Sequence, residues 1–150
     1  MTLVLSVRKG EMLVINGVEL RLLAGTKVEL SGPARFLFGK QVMLPEQART
    51  PARRLYLAIQ TAYVGASDKR QSAVETVRRL VGACQQVSLP TAVGTTLERI
   101  LQLTEADDCY PALKLARLLI QYEDGVLDAQ GLAEHGLEDQ NRESMERAVA

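Results

Sequence analysis

At 150 residues, with 47% hydrophobic and 24% charged side chains, the chain is long enough for a packed domain and too apolar to be mostly disordered. Aromatics are scarce, with no Trp, two Phe and four Tyr, which argues against bases stacking on an aromatic platform. The net charge of zero hides a gradient: residues 1–54 hold nine Lys/Arg against four Asp/Glu, and residues 105–150 hold four against eleven. The two ends serve opposite partners, the acidic third covers the basic one, or the acidic residues simply form a solvated face.

The first 44 residues read as strands. Leu3 to Val7 is a short run rich in β formers, ended by Arg8-Lys9-Gly10. Met12–Ile15 and Val18–Leu23 flank Asn16-Gly17, a strong signal for a type I′ hairpin turn. Thr26–Leu30 alternates, with Val28 and Leu30 on one face and Lys27 and Glu29 on the other. Ser31-Gly32-Pro33 turns the chain into Ala34–Phe38, and Gly39-Lys40 leads to a last candidate strand, Gln41–Leu44. Five or six short strands of this spacing form a small antiparallel sheet, a meander or a barrel-like arrangement.

From Pro45 the period becomes helical. Thr50 is a good N-cap and Pro51 suits the first helical position; Leu55, Ile59, Ala62 and Tyr63 mark the apolar stripe, and Gly65 is a natural C-terminal residue. Ser67 or Asp68 is expected to cap a second helix, with Val74, Val77, Val81 and Cys84 inward, before Pro90 breaks it. A third helix starts near Thr91, with Leu97, Ile100, Leu101 and Leu103 inward. Tyr110-Pro111 opens a fourth, coated by Leu113, Leu115, Leu118, Leu119 and Ile120 and ended at Gly125. The remaining acidic segment is expected to fray over 138–150. The fold class is therefore α+β: a β-rich head over 1–44, then a helical region over 45–150 built from about four to five helices.

Catalysis has little to stand on. His135 is the single histidine and sits in a polar stretch, while Asp107 and Asp108 are adjacent and point apart on a helix. Neither a phosphate-binding loop nor a metal-spaced His/Cys cluster is present, so no catalytic residue, metal or cofactor is expected. Cys84 and Cys109 read as buried free thiols of a reducing compartment. No apolar run approaches a membrane span and no leader pattern opens the chain, which places the protein in the cytoplasm, away from membrane.

The basic residues are more informative. Arg8, Lys9, Arg35 and Lys40 lie on or beside the strands, and Arg53 and Arg54 open the first helix. A helix N-terminus is already electropositive, so cations there need an external anion or an internal one. On a shared sheet edge these six would face phosphates, with RNA as the candidate ligand; the competing readings are ordinary surface charge and pairing with the acidic third. On the fourth helix, Leu115, Leu118, Leu119 and Tyr122 form a candidate surface for a protein partner. A sheet this small also invites edge pairing into a homodimer.

Leu3 to Glu11, the Val14-Ile15-Asn16-Gly17 hairpin and Met43-Leu44-Pro45-Glu46 through Thr50-Pro51-Ala52-Arg53-Arg54-Leu55-Tyr56 resemble the FlbT family of flagellum biosynthesis regulators in alphaproteobacteria. The resemblance spans nearly the whole length, with its best motif over 43–64. It implies association with the 5′ untranslated region of flagellin mRNA, effects on its translation and stability, and action with a small helical partner, FlaF; members of either sign are implied. An adaptor that binds FlaF or flagellin without touching RNA is the alternative. Locally, Leu3-Val4-Leu5-Ser6 with Arg8-Lys9-Gly10-Glu11 is also similar to the opening of the CsrA family, which implies RNA binding at a strand edge.

Overall fold

The computed structural model describes residues 2–134, with side chains through Val126. Five strands come first: β1 (Leu3–Val7), β2 (Met12–Ile15), β3 (Val18–Arg21), β4 (Thr26–Leu30) and β5 (Phe36–Phe38). Four helices follow: α1 (Pro51–Val64), α2 (Ser67–Gln85), α3 (Thr91–Glu105) and α4 (Cys109–Glu134). The expected α+β order, with strands ahead of helices, is what the chain adopts. His135 and the 138–150 segment lie outside the described residues.

Strand pairing is antiparallel throughout but not sequential: β1 pairs β4, and β2 lies between β3 and β5. The β2–β3 hairpin turns at Asn16 and Gly17, whose φ values of 50° and 86° are those of a type I′ turn. Side chains on β2 and β5 alternate between two cores. The paired Val14 and Leu37 enter the helical core, whereas Leu13, on the opposite face, joins Leu5 and Val7 in a core of the head. Burial on both faces is why β2 is apolar at every position.

Gln41–Leu44 is not a sixth strand. Gly39–Gln41 and Pro45–Gln47 form single 3-10 turns, and the segment between them is sutured by side chains. Gln60, buried on α1, accepts the Met43 N–H at 2.7 Å and donates to the Met43 carbonyl at 3.0 Å, as a neighbouring strand would. Tyr56 donates its hydroxyl proton to the Gln41 carbonyl. With its backbone groups satisfied this way, the segment needs no ladder.

The helical core is centred on residues that are essentially inaccessible, including Leu55 and Ile59 of α1, Val77 and Val81 of α2, Ile100 of α3 and Ala112 and Ala116 of α4. Three local expectations are corrected. Gly65 ends α1 with φ −69°, not in the left-handed region; its glycine is required because a Cβ would lie 2.3 Å from the Thr61 carbonyl oxygen. Helix α2 is preceded by Ala66 at its N-cap, with Ser67 already helical and no side-chain cap. Helix α4 runs through Gly125, which is buried, so that packing outweighs the intrinsic cost of glycine in a helix. Among the described residues, no helix is long and apolar enough to cross a membrane.

Candidate nucleic-acid interface

The structure divides the six basic candidates among three settings. Arg35 and Arg53 are spent on internal contacts. Just before β5, Arg35 donates to the carboxylate of Asp107 in the α3–α4 turn and to the Tyr63 carbonyl at 3.4 Å, with its guanidinium 5.7 Å from the Tyr63 ring centre. Its hydrogen bond to Asp107 raises its pKa above the ordinary arginine value.

Arg53 makes a fork-to-fork pair with Asp124 of α4, at 2.8 and 2.9 Å, and lies 3.5 Å from Glu123. Hydrogen bonding to Asp124 raises its pKa as well. Glu123 also accepts the Ala52 N–H at 3.0 Å, one of the donors left over at the start of a helix. Thr50 accepts from the Arg53 N–H at 3.4 Å, as expected of the N-cap. The unfavourable placement of a cation at the positive end of α1 is therefore answered inside the chain, by two acids of the next-neighbour helix.

Arg78 follows the same rule, with Glu105 at 3.0 Å. Among the described residues, every ion pair draws its acid from residues 105–124, so the charge gradient of the sequence is in part an internal pairing of basic and acidic thirds.

Arg8, Lys9 and Lys40 are different: all are exposed, and among the described residues none has an ion-pair partner. The β1–β2 turn that carries Arg8 and Lys9 lies against the turn that carries Lys40. Glu11 accepts the Arg8 N–H at 2.6 Å, and its other carboxylate oxygen approaches Gly39 so closely that a Cβ there would be 2.6 Å away. Gly39, with φ 59°, meets that approach as only glycine readily does.

Between these turns, α1 and α4 runs a cleft of about 510 Å³, lined by Gly10, Glu11, Lys40, Arg53, Tyr56 and Arg117 among others; Arg8 and Lys9 precede its Gly10 edge and do not line it. Arg117 is the residue that sequence reasoning missed. Its guanidinium donates to the Lys40 carbonyl at 3.3 Å and to the Tyr56 hydroxyl at 3.1 Å, and stands 5.5 Å from the Tyr56 ring centre. Its one sequence signal, shared with Lys114, is a cation within the otherwise apolar run 113–120. Arg54 faces away from this cleft and lines a second one, between α1 and α2.

On α4, Leu119 is buried, Leu115 and Tyr122 are half-buried against the helical core, and Leu118 is exposed. Packing on α1 and α3 thus hides most of the apolar coat within the chain. Both thiols are free; burial raises Cys84 and pushes Cys109 up to about 11, which leaves them protonated at neutral pH. Among the described residues, no group of three or more His, Cys, Asp or Glu side chains is placed to hold a metal ion.

The family model described as flagellar protein FlbT matches residues 3–127. The chain is 29% identical over 142 residues to a probable flagellum biosynthesis repressor protein FlbT of Agrobacterium fabrum, covering 95% of each. A protein of the same description from Mesorhizobium japonicum is 30% identical over 125 residues, 81% of this chain and 82% of the relative. Another from Rhizobium etli is 30% identical over 142 residues, 95% of each. No solved structure gives a significant match. By this match over most of its length, the chain belongs to the FlbT family of flagellar proteins.

Proposed function

We propose that the protein regulates flagellin synthesis after transcription, by associating with the 5′ untranslated region of flagellin mRNA and altering its translation and stability. A regulatory role in flagellum biosynthesis rests on family membership, and the relatives' description as repressors favours repression as its sign.

The observation that carries the RNA reading is the cluster of Arg8, Lys9 and Lys40 on two abutting turns beside the Arg117–Tyr56 cleft. None of these exposed side chains has an ion pair among the described residues, whereas Arg35, Arg53 and Arg78 reach across the fold to Asp107, Asp124 and Glu105; the nearby Glu11 carboxylate is bonded to the Arg8 backbone N–H. Phosphates of an unpaired RNA strand suit such a cluster, and the Gly10 and Gly39 turns offer backbone groups alongside it.

The test is a binding titration of a flagellin leader RNA with the purified protein at low salt, against a scrambled RNA of equal length. A retarded, salt-sensitive complex that weakens when Arg8, Lys9 and Lys40 become alanine is expected. No complex at low salt would remove direct RNA contact from the mechanism.

A further inference from the structure

The second cleft, about 680 Å³, follows three turns of α2 where it crosses α1. Its floor is aliphatic, from Leu57 and Ala58 of α1 and Ala73 and Leu80 of α2, and its rim carries Arg54, Lys69 and Arg79. No acidic side chain lines it.

Neighbouring cations on α2 are held: Arg78 by Glu105 at 3.0 Å, and Arg70 by the Gly65 carbonyl at 3.0 Å. Lys69 and Arg79 have no described side-chain partner, and Arg54 reaches only the Arg49 carbonyl, at 3.5 Å. Three cations therefore line one groove without an ion pair among the described residues. A carboxylate brought to this rim would meet them without displacing an internal ion pair.

We propose that this groove docks an acidic amphipathic helix of a partner protein. The partner's aliphatic side chains, spaced three and four apart, would enter between Leu57 and Leu80, and its carboxylates would meet Arg54, Lys69 and Arg79. The floor favours protein over nucleic acid: it is aliphatic and offers no ring on which a base stacks. The groove is also separate from the cleft assigned to RNA, because α1 presents Tyr56 to one and Leu57 to the other. Partner and RNA could then be held at once, on two faces of α1.

The test selects 16-residue helices from a displayed library with a fixed Leu/Ala face and polar positions drawn from Glu, Lys and Ser, using the full-length protein as bait. The expected binders are rich in Glu. A fluorescein-labelled peptide of the selected consensus should lose about tenfold in affinity against the Lys69→Glu/Arg79→Glu variant, and a Glu→Lys peptide should regain it. Leader RNA binding should be unchanged by the same pair, which lies outside the RNA cluster; a melt monitored by circular dichroism confirms that the variant folds. Recovery of no binders, binders without Glu enrichment, or equal affinity for the variant overturns the proposal. So does a variant that loses leader RNA and keeps the peptide, since that would make the groove a nucleic-acid surface.

Discussion

Asp124 on α4 grips Arg53 in the first turn of α1 with two parallel hydrogen bonds of 2.8 and 2.9 Å, across 71 residues of sequence. The pair ties the start of the first helix to the far part of the last, and Glu123 beside it caps the same helix end. Arg53 is mostly shielded, its side chain 27% exposed, so water and salt screen the contact only in part.

Arg53→Ala should therefore destabilise the fold by about 2 kcal/mol, the range for hydrogen bonds to charged groups. Arg53→Lys should restore less than half, because an ammonium lacks the planar fork. Urea unfolding of the three proteins measures this. A loss of RNA affinity in Arg53→Ala with unchanged stability would show that the arginine serves the ligand and not the fold.

Gly10 and Gly17 share a positive φ, 85° and 86°, yet only Gly17 is crowded. A Cβ there would sit 2.6 Å from the Ala66 backbone nitrogen, where the hairpin tip meets the α1–α2 turn, whereas none would touch anything within 4 Å at Gly10. Gly10→Ala should cost about 1 kcal/mol in backbone strain. Gly17→Ala should cost about 3 kcal/mol, adding a steric shift of the hairpin to the same strain. Thermal melts compare the two, and equal costs would mean that the hairpin tip does not bear on the helices.

Alkaline pH should weaken the fold through Cys109. Burial, followed by the nearby Asp107 charge, pushes its thiol up to about 11, while an unfolded cysteine titrates near 8.5. The folded chain thus keeps a proton that the unfolded chain sheds, so stability is fully present below about pH 8.5 and falls as pH rises towards 11. The loss from this site should reach about 2–3 kcal/mol by pH 11. Tyr63, also raised by burial, adds to it in the same direction at higher pH. Urea midpoints at pH 8 and pH 10.5 should fall further in the wild type than in Cys109→Ala; parallel falls would assign the alkaline loss elsewhere.

For RNA, the triple change of Arg8, Lys9 and Lys40 to alanine should lower the slope of log K against log salt by about 2, at about 0.7 per phosphate contact on a single strand. Arg35→Ala should leave that slope nearly intact and lower the melting temperature, because Arg35 already holds Asp107 and the Tyr63 carbonyl. A reversal of these two outcomes would move the RNA site to the Arg35 end of α1.

How much of this was legible in the chain depends on the range of the interaction. The Asn16-Gly17 turn, the Thr50-Pro51 start of α1 and the stripes of Val77, Val81, Leu97 and Ile100 are local signals, and the structure has them where the spacing puts them. Gln41–Leu44 reads locally as a strand, since nothing nearby in sequence reveals that Gln60 acts as its pairing partner. Gly125 likewise reads as a helix stop, although α4 continues through it. The six basic residues look like one set in sequence; which were internal struts and which were open could not be read from their spacing.

The sequence by itself determined the order of strands and helices, the hairpin, the inward faces and the division into a basic front and an acidic back. Those are matters of backbone preference and periodicity, which act over a few residues. Only the tertiary structure decided what the charges do. It brings Asp124 to Arg53 and Asp107 to Arg35, and leaves Arg8, Lys9 and Lys40 exposed beside one cleft and Lys69 and Arg79 beside another. Electrostatic pairing depends on distance in space, and the packing of α4 on α1 sets that distance between residues some seventy positions apart.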